Sequence, residues 1–325
     1  MLGAFLALLS AATFGMNVAS LRRGVLTGSV LQALVITVPA GVPLFALGCL
    51  LMGGFDSFLG LSLESWWWFS LAGVVHFVVG RYGNYRATQA LGAAQAAPIL
   101  QVTLIISLVL AVVFLGESLT ILRTFGALLI LVGPIIIVRS AASKGVVKTR
   151  AGQRLNYVEG YFWSMVCAVG FGSSPLFIKF GLGDGGVQES IAGGLASYIA
   201  GAVVVAAIVA LVPGNLAHVK SLDRSTAGWF AAAGVLVFIS QILLYTALAL
   251  APVSVVAAVQ RTAIVFRVLF SWMLNRDHEV LGASVVFGLG LSALGVVAVT
   301  VDVDMILKFI PLPAAIADTL RLSWP

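Results

Sequence analysis

The ninth apolar segment of the chain carries the residues best suited to binding a ligand. Gln260, Arg261 and Arg267 all lie well inside this run of hydrophobic residues. Ionisable side chains at membrane depth are costly, and they usually mark a functional site. Gln260 and Arg267 are about two helical turns apart and share a face, whereas Arg261 is displaced by about 100°. Because a guanidinium holds a carboxylate or phosphate through two hydrogen bonds, these residues predict an anion site.

Polar residues in other apolar segments extend this candidate site. Gln101 occupies in the first half of the chain the position that Gln260 occupies in the second. Gln241 and Tyr245 are four residues apart and therefore share one face of a helix. The predicted substrate-binding residues are His76, Arg81, Gln101, Gln241, Tyr245, Gln260, Arg261 and Arg267.

A structural role is the alternative for several of these side chains. Glutamine and serine often hydrogen-bond across helices only to hold a membrane bundle together. For Gln101, Asn17 and Ser173 the two interpretations stand side by side. His76 is better explained as an interhelical hydrogen-bonding group than as a proton carrier, because no carboxylate is paired with it in the sequence.

The charges at membrane depth have one sign. Arg81, Arg261 and Arg267 lie within apolar segments, while no Asp or Glu lies in the middle of any of them. Proton-coupled export of cations generally needs an embedded carboxylate that binds proton and cation in turn. The sequence therefore favours an anionic or zwitterionic substrate, such as an amino acid or an organic acid.

An intramembrane enzyme is one alternative class. The sequence contains no His-Glu-x-x-His pair and no serine in a Gly-x-Ser-x-Gly context. The other two histidines, His218 and His278, fall in predicted loops. We therefore expect no catalytic site, cofactor or metal. A channel or a membrane scaffold that does not transport is the remaining alternative.

The composition identifies the setting in which these residues act. Apolar residues make up 61% of the chain and charged residues only 9%, whereas soluble domains carry about 25% charged residues. The apolar runs reach the length of about 20 residues that crosses a hydrocarbon layer. We predict an all-α polytopic protein of the cell membrane. Its expected partners are the lipid bilayer and a small-molecule substrate, with no nucleic acid, and it is expected to be a monomer or a homodimer.

Ten transmembrane helices are predicted from the apolar runs. Their approximate ranges are 2–21, 30–52, 66–90, 93–115, 119–138, 158–180, 190–212, 226–250, 253–274 and 280–301. The first is interpreted as a retained helix, because it lacks the basic start of a secretory signal. The predicted organisation is a five-helix repeat at 1–138, a basic linker at 139–157, a second repeat at 158–301 and an interfacial tail at 302–325.

The two halves of the chain repeat each other. Phe14-Gly15 recurs as Phe171-Gly172 at near-constant spacing, and Gln101 recurs as Gln260. Each copy holds five predicted helices, and an odd number of crossings requires the second copy to enter the membrane upside down. Inverted repeats are an architecture of secondary transporters, with the substrate site at the repeat interface.

These patterns together resemble a known family. Each copy begins with a helix that carries Phe-Gly and then a basic residue. The third helix of each copy ends in a similar segment, Tyr85–Leu91 and Tyr245–Leu250, and the fifth carries two glycines, Gly126 with Gly133 and Gly288 with Gly295. The fourth helix of the first copy ends in Phe114-Leu115-Gly116-Glu117. The set is similar to EamA-type members of the drug/metabolite transporter superfamily. The ninth segment departs from the pattern, because it ends in Asn275-Arg276-Asp277.

The resemblance implies ten helices in two repeats. From the repeat we expect transport by alternating access, with helices 1, 3, 4, 6, 8 and 9 lining a central cavity. The resemblance also implies that both termini are cytoplasmic. The distribution of basic residues predicts the opposite orientation. Most of them lie on the side of the 139–157 linker, which the positive-inside rule places in the cytoplasm, and both termini would then face outward. The orientation of the termini therefore stays open.

Overall fold

Helices dominate the fold because backbone polar groups in a hydrocarbon layer must be satisfied within the chain. The structure is a computed structural model. It describes residues 1–25, 27–91, 100, 102–143, 157–274, 283–300 and 323–324.

The helices of the first half are α1 (Leu2–Val25), α2 (Val30–Thr37), α3 (Gly41–Met52), α4 (Phe55–Leu59), α5 (Leu63–Gly73), a π-helix (Val74–Gly80), α6 (Arg81–Leu91), α7 (Val102–Leu115) and α8 (Ile121–Ser143). Those of the second half are α9 (Tyr157–Leu182), α10 (Val187–Leu211), α11 (Asn215–Lys220), α12 (Arg224–Leu250), α13 (Val253–Gln260), α14 (Ala263–Leu274) and α15 (Ala283–Thr300). Two short antiparallel strands, β1 (Leu119–Thr120) and β2 (Ser323–Trp324), pair Leu119 with Trp324.

Five helical segments in the described residues are long and apolar enough to cross a membrane. They are Leu2–Val25, Val30–Met52, Val158–Leu182, Val187–Leu211 and Arg224–Leu250. Large apolar side chains also cover the outside of the bundle; Leu50 is 67% exposed and Leu211 80% exposed. In a hydrocarbon layer such side chains are buried in lipid, so the protein is a membrane protein.

The second predicted helix is interrupted, whereas the sequence predicts one continuous helix over 30–52. Helix α2 ends at Thr37 and α3 begins at Gly41, with Pro39 between them. Proline lacks the N–H that would continue the helical hydrogen-bond ladder, so the helix breaks there. Pro43 is tolerated because it lies in the first turn of α3. At the linker, α8 continues to Ser143, and residues 144–156 lie outside the described part.

Helices of one half pack mainly on helices of the other. Helix α1 lies along α12, α13 and α14, and α9 lies along α5, the π-helix, α6 and α7. Helix α8 packs on α15, and α10 packs on α3 and α5. The first helix of each half therefore lies in the same relation to the third and fourth predicted helices of the other half.

The contact between α8 and α15 depends on two of the glycines that the sequence pattern singles out. A Cβ added to Gly126 would lie 2.7 Å from the carbonyl oxygen of Gly295, and one added to Gly295 would lie 2.7 Å from that of Gly126. Small residues allow membrane helices to approach this closely. The two backbones are therefore in direct contact at this crossing.

We predict that Gly295→Ala destabilises the protein by about 1 to 3 kcal/mol, because the added methyl group meets backbone rather than a movable side chain. The matched control is Gly290→Ala on the same helix, where an added Cβ meets nothing within 4 Å. Thermal unfolding of both variants in detergent provides the measurement. Equal melting temperatures for the two variants would contradict the close crossing.

Candidate functional site

A cavity of about 100 Å³ lies between the two halves of the chain. Its walls come from α1, the π-helix, α6, α7, α9, α12, α13 and α14. Its polar lining comprises His76, Asn84, Thr103, Ser107, Ser240, Gln241, Gln260, Arg261 and Arg267. Drug-sized ligands occupy about 300 to 1,000 Å³, so this cavity fits a smaller molecule.

The structure brings together five of the eight residues that the sequence predicts for the site. His76, Gln241, Gln260, Arg261 and Arg267 line the cavity. Arg81 and Tyr245 are not among its lining residues. Gln101 lies outside the described residues.

The ninth predicted helix is broken at the cavity, whereas the sequence predicts one helix over 253–274. Helix α13 ends at Gln260 and α14 begins at Ala263. The Thr262 hydroxyl donates to the Val259 carbonyl at 2.7 Å, and the Thr262 N–H donates to the same carbonyl at 3.0 Å. This side-chain bond competes with the regular helical ladder. The break places Arg261 in a turn, immediately before the N-terminus of α14.

The third predicted helix is also irregular at the cavity. Residues Val74–Gly80 form a π-helix between α5 and α6. A π-turn takes up one extra residue, and such turns are frequent at functional sites. Asn84 follows His76 by eight positions. With the π-turn between them, the rotation about the helix axis is about that of seven α-helical steps, which is close to two full turns. His76 and Asn84 consequently face the same cavity.

His76 is held by hydrogen bonds on both sides of its ring. Its Nδ1 lies 2.7 Å from the Ser174 hydroxyl, and its Nε2 lies 3.2 Å from the side-chain nitrogen of Gln241. Phe171 stacks on the ring with centroids 4.5 Å apart. His76 therefore connects α9 to α12 and forms one wall of the cavity.

Gln260 is also bound to its neighbours. Its side-chain nitrogen donates to the Ser10 hydroxyl at 2.6 Å. The Ser10 hydroxyl lies 3.1 Å from that of Ser240, and each serine also donates to the other's carbonyl oxygen. This network ties α1 to α12 and α13. Its existence agrees with the structural alternative for buried glutamine and serine.

Arg261 and Arg267 give the cavity its charge. Among the described lining residues there is no Asp or Glu. The Nε of Arg261 is buried and has no hydrogen-bond partner among the described residues. A guanidinium in this position is a donor group available to an anion.

Arg81 has a different environment. It is 2% exposed and donates to the Thr37 carbonyl and to the Tyr198 hydroxyl, each at 3.3 Å. Its guanidinium also lies 5.0 Å from the centre of the Phe77 ring. Tyr245 is similarly buried, and its ring packs against Phe45 with centroids 6.0 Å apart. Arg81 therefore holds α2, α6 and α10 together.

Glu117 links the end of the fourth predicted helix to the start of the ninth. Its two carboxylate oxygens accept hydrogen bonds from the backbone N–H groups of Val253 and Ser254, at 2.7 and 2.9 Å. A carboxylate is favourable at a helix N-terminus because the free N–H groups carry partial positive charge. Gly116 has a positive φ of 63° and ends α7, which allows Glu117 to reach α13.

Several lining residues were not in the predicted set. Asn84 is the most informative, because it is 4% exposed and yet faces the cavity. Its polarity within an apolar run is visible in the sequence, but its direction depends on the π-helix. Thr103, Ser107 and Ser240 are small hydroxyl residues that are common in membrane helices, so the sequence carried no signal for them.

Comparison with known proteins identifies the first half of the chain. Residues 1–139 match the model of the EamA-like transporter family. Over these residues the chain is similar to that family. The family is part of the drug/metabolite transporter superfamily, as the sequence resemblance implied, and the EamA-like assignment indicates a membrane transporter.

The whole chain also resembles a solved structure. A protein crystal structure superposes with a TM-score of 0.58 over 92% of this chain and 95% of its own, at 16% sequence identity. At that identity the likeness shows the fold alone. It extends well beyond the EamA-like residues, so both halves contribute to one shared fold. No curated protein matches the chain.

We predict opposite effects on stability for two of the arginines. Arg81→Met should lower the stability by about 2 kcal/mol, because it removes hydrogen bonds made by a charged group. Arg261→Met should leave stability unchanged or raise it, because it removes a buried donor without a partner. Thermal unfolding in detergent without added ligand distinguishes the two. A larger loss in Arg261→Met would show that Arg261 is the structural cation.

Proposed function

We propose that this EamA-like protein is a secondary transporter that moves a small anionic or zwitterionic metabolite across the cell membrane by alternating access. The observation that carries the proposal is the cavity at the break between α13 and α14, where Arg261 and Arg267 are part of the lining. The family assignment of residues 1–139 supports transport as the activity.

The anion preference rests on the electrostatics of this cavity. Two guanidinium groups line it, and the described lining residues include no carboxylate. The N-terminus of α14 adds partial positive charge, since Ala263 and Ile264 also line the cavity. In transporters with broken helices, half-helix N-termini face anionic groups of the substrate. The same three features disfavour a cationic substrate.

The proposed architecture is ten transmembrane helices in two inverted five-helix repeats. The exchanged packing supports it, because α1 contacts α12, α13 and α14 while α9 contacts α5, α6 and α7. Equivalent glycines make equivalent contacts: an added Cβ on Gly15 would lie 2.7 Å from Phe266, and one on Gly172 would lie 2.8 Å from Ile106. Two similar halves around one central cavity are suited to rocking against each other.

In the proposed transport cycle the two repeats rock and expose the cavity to one side of the membrane at a time. Gly15 and Gly172 lie on the first helix of each half, in close contact with the other half. Small residues there allow one helix to slide on the other without large side-chain rearrangement. Phe14 and Phe171 line the cavity beside them, with ring centroids 6.3 Å apart. These rings would move with the two halves.

We predict that Arg261→Gln and Arg267→Gln each lower the transport rate at least a hundredfold, or by about 2.7 kcal/mol, because each removes a buried charge that pairs with the substrate. The assay is counterflow of radiolabelled carboxylates of three to six carbons into proteoliposomes that contain purified protein. Saturation and counterflow identify a carrier rather than a channel.

The matched control is Arg224→Gln, since Arg224 is exposed at the start of α12 and outside the cavity. It should transport like the unmodified protein. Unchanged transport in both cavity variants would overturn the role of the arginines. Transport of cations but not of carboxylates would overturn the proposed substrate charge.

A further inference from the structure

Two buried acceptor atoms in the cavity have no hydrogen-bond partner among the described residues. They are the side-chain oxygens of Asn84 and Gln241, residues that are 4% and 2% exposed and that both line the cavity. Buried polar groups in folded proteins are nearly always hydrogen-bonded, so each exception requires an explanation. Two such residues in the lining of one cavity indicate that its ligand carries hydrogen-bond donors.

The hydrogen bonds around His76 determine which end of the Gln241 amide is left without a partner. The Ser174 hydroxyl lies 3.4 Å from the Phe171 carbonyl, to which it donates, and it accepts from His76 Nδ1 at 2.7 Å. The Nε2 of His76 is then an acceptor and takes a proton from the Gln241 side-chain nitrogen, 3.2 Å away. This arrangement leaves the Gln241 oxygen as the free end.

The charge of the cavity decides what kind of donor fits these oxygens. An ammonium group would be repelled by Arg261 and Arg267, and no carboxylate in the described lining would compensate it. Amide oxygens carry only partial negative charge. A neutral hydroxyl group can donate to them without that repulsion, and it can do so while an acidic group of the same molecule binds the guanidinium groups.

We infer that the substrate is a small hydroxycarboxylate, whose carboxylate binds Arg261 and Arg267 and whose neutral hydroxyl donates to Gln241 and Asn84. This inference rests on the proposed function and selects one chemical class within it. It also assigns Gln241 and Asn84 as specificity-determining residues. The modest volume of about 100 Å³ fits a short acid.

Matched sets of acids that differ at one substituent provide the test. Propanoate, lactate and alanine share one carbon skeleton, as do butanoate, 2-hydroxybutanoate and 2-aminobutanoate, and hexanoate, 2-hydroxyhexanoate and norleucine extend the length. Binding to the purified full-length protein is measured by calorimetry and by ligand-induced thermal stabilisation. We expect the hydroxy acid of a set to bind at least about tenfold more tightly than the unsubstituted acid and more tightly than the amino acid.

Variants of the acceptor residues make the test specific. Gln241→Leu and Asn84→Leu should each reduce the preference for the hydroxy acid, because they remove one acceptor and keep a similar volume. Gln241→Glu places a negative charge in the cavity and should move the preference toward the amino acid. Gln188→Leu is the matched control, since Gln188 is exposed, donates to the Met52 carbonyl at the end of α3 and is not among the cavity-lining residues. It should bind all three acids like the unmodified protein.

The outcomes separate this inference from the proposed function. If the unsubstituted and hydroxy acids bind equally and both lose affinity in Arg261→Gln, the anion site stands and the hydroxyl inference is wrong, because water then satisfies the two oxygens. If the amino acid binds best, the inference is also wrong while the zwitterionic form of the proposed function stands. If no acid of any set binds and cations do, both are overturned.

Discussion

The absence of water in the hydrocarbon layer is the constraint on which the rest of this structure depends. Every buried polar group must find its partner within the protein, and most do: Asn17 donates to the Ala233 carbonyl at 2.7 Å, and Ser107 donates to the Gly172 carbonyl at 2.9 Å. Groups that remain unsatisfied are therefore informative. The Nε of Arg261 and the amide oxygens of Gln241 and Asn84 are such groups, and all three residues line one cavity.

The same constraint explains where the helices are irregular. A regular helix satisfies its own backbone but presents its side chains at fixed angles. The π-helix at Val74–Gly80 changes the angle at which the following side chains leave the helix, which places Asn84 in the cavity lining. The break after Gln260 places Arg261 in a turn outside α13. Non-helical backbone at membrane depth is tolerated where it lines a cavity. Both irregularities meet that condition, since their residues line the same cavity.

Sequence reasoning predicted part of the site because charge at membrane depth is visible in composition alone. Arg261 and Arg267 were selected in this way, whereas Gln241 was selected as a polar residue that shares a helix face with Tyr245; all three residues line the cavity. Arg81 was also selected by its charge but contacts Tyr198, because the sequence does not show which neighbours surround a buried cation. Asn84 required the π-helix, whose wider turn leaves no periodic pattern in the residues. The helices themselves were predictable from their length and hydrophobicity, whereas the break at Arg261, where the Thr262 hydroxyl donates to the Val259 carbonyl, leaves no sign in the hydrophobic pattern.

The Glu117 cap constrains how the two halves can move if they rock as proposed. Two hydrogen bonds join the end of α7 to the start of α13, so these elements must move together or break both bonds. Breaking them would leave a carboxylate and two N–H groups unpaired, which is costly away from water. Sliding is easier at the glycine contacts of α1 and α9, where Gly15 and Gly172 face the other half. The hydrogen bonds from Gln260 to Ser10 and from Ser107 to the Gly172 carbonyl cross these same boundaries, so a rocking motion at the first helix of each half must also break or exchange those bonds.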